Sequence, residues 1–323
     1  MIEMLIKRAI QSAFVVLVMS VLAFVGINVV GDPIYLLVDP SASPKQIEEA
    51  ARSLGLHLPL HQQYWHFLLN ALHGDLGSSF VFNRPAVELI IERIPATLEL
   101  AVMALVLAMV IGVPLGMWAG LRPNSLVHRL AMGFSIFGVT VPAFWLGLIL
   151  ILVFSVNLGW VPSSGRGPVK ELFGVEVSFL SWEGLKFIFL PAITLSLSQI
   201  ALVIRLTEAG TREVALQEYV KFARAKGVSG PRLMLRHIAP NVMIPIITVM
   251  GIEFGQLIAF SLVTESIFAW PGMGKLIIDS VLQLDRPVVV AYLMITLLIF
   301  VVINFVVDVL YLLLDPRLRT KSA

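Results

Sequence analysis

An acidic residue inside an apolar run is the first place to look for chemistry. Glu253 stands within Val242–Leu262, a stretch with no other charged side chain. A carboxylate is costly in hydrocarbon and is kept there for a function or a partner. One reading gives it an amine or a cation to bind. The other pairs it with a polar group across a subunit interface. A proton relay would need further carboxylates along the bundle, and no chain of them is seen. Glu99 and Asp308 lie near the ends of apolar runs, where solvated or capped positions are expected. His57, His61, His66 and His73 raise a metal site, but Pro59 lies inside the His57/His61 pair and argues against helical i, i+4 ligation. They read as surface histidines. Pro271-Gly272-Met273-Gly274-Lys275-Leu276 imitates a phosphate-binding loop. Its first glycine position is Ala269, and Leu276 follows the lysine where a serine or threonine is needed. There is no cysteine, which excludes disulfides, thiolate ligands and cysteine nucleophiles. With no nucleophile–base pair or metal-hydrolase motif, the chain does not read as an enzyme.

The elements that must position Glu253 follow from composition. Of 323 residues, 58% are hydrophobic and 14% are charged. Mean hydropathy is +0.91. A soluble fold cannot hide that much apolar surface, a disordered chain would not carry it, and lipid is the solvent that fits. The net charge of +2 argues against nucleic-acid binding. A spanning helix needs about 20 apolar residues. Six runs qualify: Ala9–Val30, Thr97–Leu121, Leu130–Val156, Phe187–Ile204, Val242–Leu262 and Pro287–Val307. A β-barrel would need alternating segments of about ten residues, and these runs are continuous and longer. The expected fold is all-α and polytopic. The expected organisation is 1–30, an N-terminus and first span; 31–95, an external segment with short helices; and 96–323, a core with a cytoplasmic loop at 207–240.

Six spans place both termini on one side. Lys and Arg number two before span one, two at 122–129, seven at 205–236 and three in the tail, against three and two in the short loops of the other face. The positive-inside rule puts the termini and the 205–241 loop in the cytoplasm. Segments 31–95, 157–186 and 263–286 then face outside. In the first of these, Pro44 to Gly55 reads as a helix capped by Ser43, and His61–Leu72 as an amphipathic helix carrying Tyr64, Phe67, Leu68, Ala71 and Leu72. Gly74-Asp75-Leu76-Gly77-Ser78-Ser79 ends it. In the cytoplasmic loop, one helix is expected over Glu213–Lys226, ended by Gly227, and a second over Pro231–His237 with Ser229 as its cap. Gly112, Gly116 and Gly120 form a close-packing stripe, as do Gly251 and Gly255. Pro142, Pro191 and Pro245 are expected to kink or start helices where a path could open.

The loop Glu218-Tyr219-Val220-Lys221-Phe222-Ala223-Arg224-Ala225-Lys226-Gly227, followed by His237-Ile238-Ala239-Pro240, resembles the cytoplasmic loop of permease subunits in binding-protein-dependent ATP-binding-cassette importers. The general pattern there is Glu-Ala-Ala-x3-Gly-x9-Ile-x-Leu-Pro. This chain keeps Ala223, Gly227 and Pro240, and its Tyr-Val-x-x-Ala-Arg-Ala-Lys-Gly form is that of the peptide and nickel branch. Gly74–Ser79, Arg84-Pro85, Ile94–Leu100, Val141–Gly147 and Glu265–Gly274 resemble the first-permease subunit of that branch, in order along the chain.

The resemblance implies a type I importer permease of six transmembrane helices in a bacterial or archaeal inner membrane. It implies a second permease, two ATPase subunits and an external solute-binding protein as partners. It implies no cofactor on this chain, with ATP and magnesium held by the ATPase. Glu218, Tyr219, Ala223, Arg224, Lys226, Gly227 and Pro240 would form the ATPase-coupling loop, with Ala223 and Gly227 least tolerant of bulk. Glu253, Pro142 and Phe144 are candidates for the path. The substrate would be di- or oligopeptides, with nickel complexes, glutathione or opine-like solutes as alternatives. An ATP-independent secondary transporter or channel is the rival; it would show inverted repeats or ionisable pairs along the bundle. A membrane-embedded scaffold is a third reading.

Overall fold

In the computed structural model, residues 2–29, 45, 52 and 57–314 are described. The helix expected from Pro44 to Gly55, with its Ser43 cap, lies outside the described residues except for Lys45 and Arg52. Among the described residues, five helices are long and apolar enough to cross a membrane, six when one bent pair counts as a single span. By internal contacts the chain divides into two units, Met1–Ile94 with Leu276–Val302, and Pro95–Lys275 with Ile303–Ala323.

In the first unit, α1 (Ile2–Val29) carries the apolar run after Lys7 and Arg8. The amphipathic helix α2 (Leu60–Leu72) packs on it through aromatics. Phe24 meets Tyr64 edge-on at 5.4 Å and Phe67 at 5.9 Å, and the Tyr64 hydroxyl lies 2.8 Å from Ser20 Oγ. Of the apolar residues expected to be sheltered, Leu72 is exposed. After the Gly74–Ser79 turn, Asp285 is fully buried and accepts from Ser79 Oγ and from the Phe80 amide at 3.1 Å.

In the second unit, α6 (Trp182–Ala215) is buried along most of its length and packs against α3 (Ala86–Leu121) and α4 (Leu126–Thr140). α3 begins in the first unit. Gly112, Gly116 and Gly120 lie against Val203, Thr207 and Thr211 of α6. A Cβ at Gly116 would stand 2.6 Å from Thr207 Cβ and 2.7 Å from the Ile204 carbonyl oxygen. The missing side chains allow close backbone approach, as small-residue stripes do in membranes. Gly116→Ala should therefore cost about 1–3 kcal/mol by overpacking. A thermal-unfolding scan of the detergent-solubilised protein checks this, and an unchanged Tm would show that α3 and α6 can move apart freely.

The third span is not the continuous helix expected over Leu130–Val156. α4 ends at Thr140 and α5 (Ala143–Leu150) follows, continued by a π-helical stretch Ile151–Asn157, with a 104° bend between the halves. Pro142 explains the break. It offers no amide hydrogen and pushes Val141 into extended geometry, here φ −78 and ψ 123. Pro191 and Pro245, expected to act similarly, lie inside continuous helices. A hairpin of β1 (Lys170–Leu172) and β2 (Val175–Val177) turns through Phe173 and Gly174, both at positive φ. Sequence periodicity gave no sign of three-residue strands.

The loop expected at 207–240 also differs from expectation. α6 runs on to Ala215, well past Ile204. A turn at Leu216-Gln217 then separates it from α7 (Glu218–Ala225), so Glu213–Lys226 is not one helix. The next element, α8 (Gly230–Leu233), passes into a π-helical turn Met234–Ile238. Ser229 precedes it, but its side chain makes no capping hydrogen bond. α9 (Ala239–Ile267) has Pro240 in its first turn, where a missing amide hydrogen costs nothing. α10 (Met273–Leu282) and α11 (Arg286–Leu314) are the last described elements.

Candidate functional site

α7 is a short amphipathic knob. Val220 and Ala223 are buried in the cluster that holds Val203, Ile204, Leu233 and Ile238. Glu218, Tyr219, Phe222, Arg224 and Lys226 point outward. Phe222 is 62% exposed and Tyr219 44%, which is unusual for aromatics beside so many charges. Lys226 Nζ sits 4.5 Å from the Phe222 ring centre. The helix ends in a Schellman motif: the Gly227 amide donates to Arg224 O at 3.0 Å and the Val228 amide to Ala223 O at 3.2 Å. Gly227 has φ +80, and a Cβ built there would meet nothing within 4 Å. Backbone conformation, not close approach within this chain, requires the glycine. Of the two residues expected to resist bulk, Ala223 is packed on every side that this chain supplies, and Gly227 is open.

Glu253 lies on α9 and lines a cavity of about 510 Å³ with Phe144, Gln199, Arg205 and Gln256. The structure therefore brings two of the three path candidates together. Pro142 is exposed at the bend and is absent from the lining. Glu253 finds its hydrogen-bond partner inside the chain, where Gln199 Nε2 donates to Oε2 at 3.0 Å. Gln199 and Arg205 were not singled out from sequence. Both sit on α6, and only the packing of α6 against α9 brings them to Glu253.

Two further carboxylates are buried more deeply. Glu99, expected to be solvated or capped, is 5% exposed. Arg166 Nη2 donates to its Oε2 at 2.7 Å, and Oε1 accepts from the Ser178 amide, the Ser178 hydroxyl and the Phe179 amide at 2.6–3.0 Å. Arg166 also lies 5.8 Å from the Trp270 ring centre. Glu265 is fully buried and accepts from Thr97 Oγ1, Ser261 Oγ and the Lys275 amide at 2.8, 2.8 and 3.1 Å. A Cβ on Gly272 would strike that carboxylate at 2.3 Å. Trp270 Nε1 donates to Ala96 O at 2.8 Å, and the Met273 amide to Thr97 Oγ1 at 2.8 Å. The phosphate-loop imitation is thus a packed turn wrapped round Glu265. Asp308's side chain lies outside those described.

Among the described residues no three histidine, aspartate or glutamate side chains gather as metal ligands. The His73 ring is engaged locally, with Nδ1 2.7 Å from Leu69 O.

A family model described as "Binding-protein-dependent transport system inner membrane component" matches residues 112–320. Its N-terminal companion, "Binding-prot-dependent transport system membrane comp, N-term", matches residues 1–101. The glutathione transport system permease protein GsiC of Escherichia coli strain CFT073 is 39% identical over 322 residues, 99% of this chain and 100% of that protein. The GsiC of Shigella dysenteriae serotype 1 is 38% identical with the same coverage. A solved structure of the MetNI methionine ABC transporter in inward-facing conformations covers 70% of this chain and 96% of its own, with a TM-score of 0.55 and 15% identity. At that identity the likeness speaks for the fold alone.

Proposed function

The chain belongs to the inner-membrane components of binding-protein-dependent transport systems, a transport subunit and not an enzyme, and we propose that it forms the path for imported di- or oligopeptides, glutathione among them. A second, similar permease completes that path. Two ATPase subunits drive it from the cytoplasm, and an external solute-binding protein delivers the solute. The termini and the α7 knob face the cytoplasm, in line with the basic residues concentrated at 205–236. End-to-end identity with permeases named for glutathione supports the substrate class.

The observation that carries the coupling role is α7 itself. Its inner face is fixed by Val220 and Ala223, and its outer face shows Tyr219 and Phe222 to solvent beside Arg224 and Lys226. An exposed aromatic pair on a rigid basic knob fits a groove on an ATPase, where the rings bury and the charges meet acids at the rim. ATP binding shifts the bundle only if the ATPase holds this knob differently in its two states. Phe222→Asp should lower ATPase recovered with the affinity-tagged permease about tenfold, equivalent to about 1.4 kcal/mol. Quantitative co-purification checks it. Undiminished recovery would place the docking surface elsewhere.

A further inference from the structure

We propose that the Glu253 cavity is a selective binding site for the free ammonium group of the solute, with Arg205 receiving its carboxylate. This rests on the transport reading above and adds a site to it. Gln199 is 8% exposed, and its Nε2 donates to Glu253. That bond fixes the amide, since the reverse orientation would set two acceptors against each other. Gln199 Oε1 is then left buried without a hydrogen-bond partner among the described residues. A buried acceptor left unpaired costs about 1–3 kcal/mol and needs an explanation. Beside it, the Glu253 carboxylate receives one hydrogen bond, from Gln199, among the described residues. This corner of the cavity therefore presents acceptors short of donors. A primary ammonium has three donors and a positive charge, and it supplies what both groups lack.

Arg205 lines the same cavity and has no ion-pair partner among the described residues. It lies six residues beyond Gln199 on α6, about 9 Å along the helix axis. Extended peptide covers about 3.3–3.6 Å per residue, so two or three residues bridge that spacing. The cavity, about 510 Å³, falls within the range of small-molecule sites, about 300–1,000 Å³. Phe144 and Leu257 add apolar wall to the cavity. One acid, one base and the length between them match a short zwitterionic peptide better than a bare cation.

The test uses the permease–ATPase complex in lipid nanodiscs, first without the solute-binding protein. Saturation-transfer NMR reads contact with L-alanyl-L-alanine, its N-acetyl form and its C-terminal amide. The free dipeptide should give at least fivefold more signal than the N-acetyl form. Glu253→Gln and, independently, Gln199→Leu should remove that preference, and Arg205→Gln should remove the preference for free acid over amide. Two separate acceptor variants guard against one that fails to assemble. Equal signal from free and N-acetylated dipeptide in the wild type overturns the inference, as does a preference that survives both acceptor variants. ATP-driven uptake into proteoliposomes with the binding protein separates the two levels. If the wild type hydrolyses ATP and accumulates neither peptide, the transport reading falls as well. If it accumulates dipeptide but shows no amine preference in the NMR assay, only the site assignment falls.

Discussion

Gly227→Val is expected to reduce ATP-driven uptake about tenfold, while Gly227→Asn retains most of it. The reason is conformational. Gly227 holds φ +80 with open space where a Cβ would go. A β-branched residue pays about 1–2 kcal/mol in that left-handed geometry, and asparagine tolerates it better. Relief of the strain would break the bond from the Val228 amide to Ala223 O. Val228 packs against the cluster that contains Ala223, so losing the motif loosens the knob at its base. A penalty of that size corresponds to roughly a five- to thirtyfold change in an equilibrium. Uptake by reconstituted vesicles, with ATPase recovery measured in parallel, checks it. Full uptake by the valine variant would mean that the turn can unwind without consequence for coupling. Equal loss in both variants would mean that bulk against a partner matters, and not φ.

Arg166→Ala is expected to destabilise the protein by about 3–5 kcal/mol, the usual effect of removing one member of a buried ion pair. The Arg166 side chain is 11% exposed and that of Glu99 1%. Without the guanidinium, Glu99 keeps the donors from Ser178 and Phe179 but loses its countercharge. Arg166 also donates to Glu176 O at 2.5 Å and lies over Trp270, so the hairpin loses an anchor too. Lysine should rescue only in part, because it is a point charge and cannot fork between two acceptors. Replacing both residues by apolar ones of similar volume should recover much of the loss. A thermal-shift series of the single and double variants decides it. An unchanged Tm in Arg166→Ala would show that the three remaining hydrogen bonds suffice for Glu99.

The outlines of this fold were legible because lipid imposes long apolar runs, and the runs at Val242–Leu262 and Pro287–Val307 fall inside α9 and α11. The glycine stripe at 112, 116 and 120 was legible because close packing by absent side chains depends on spacing along one helix. The break at Pro142 was half legible. The proline was evident, but Pro191 and Pro245 looked the same and sit in unbroken helices. Local chemistry marks where a helix is able to break, and packing decides whether it does. The buried carboxylates were the least legible. Glu99 meets Arg166 at a separation of 67 residues and Glu265 meets Thr97 at 168. No periodicity within a helix reports such meetings. Gln199 escaped notice for the same reason: an amide in an apolar helix is unremarkable until the acid 54 residues away faces it.

The uninterrupted length of α6 has a mechanical consequence. Its 34 residues make a rod about 50 Å long. One end stops two residues short of the α7 knob, Gln199 and Arg205 sit along its shaft, and Val203, Thr207 and Thr211 are meshed with the glycines of α3. A rod so meshed pivots with its neighbour as one lever. A tilt of about 5° at the knob would swing the opposite end by about 4 Å over that length, and the cavity wall by about half as much. A small rotation at the knob end is thereby carried into a displacement of about 4 Å at the far end of the rod.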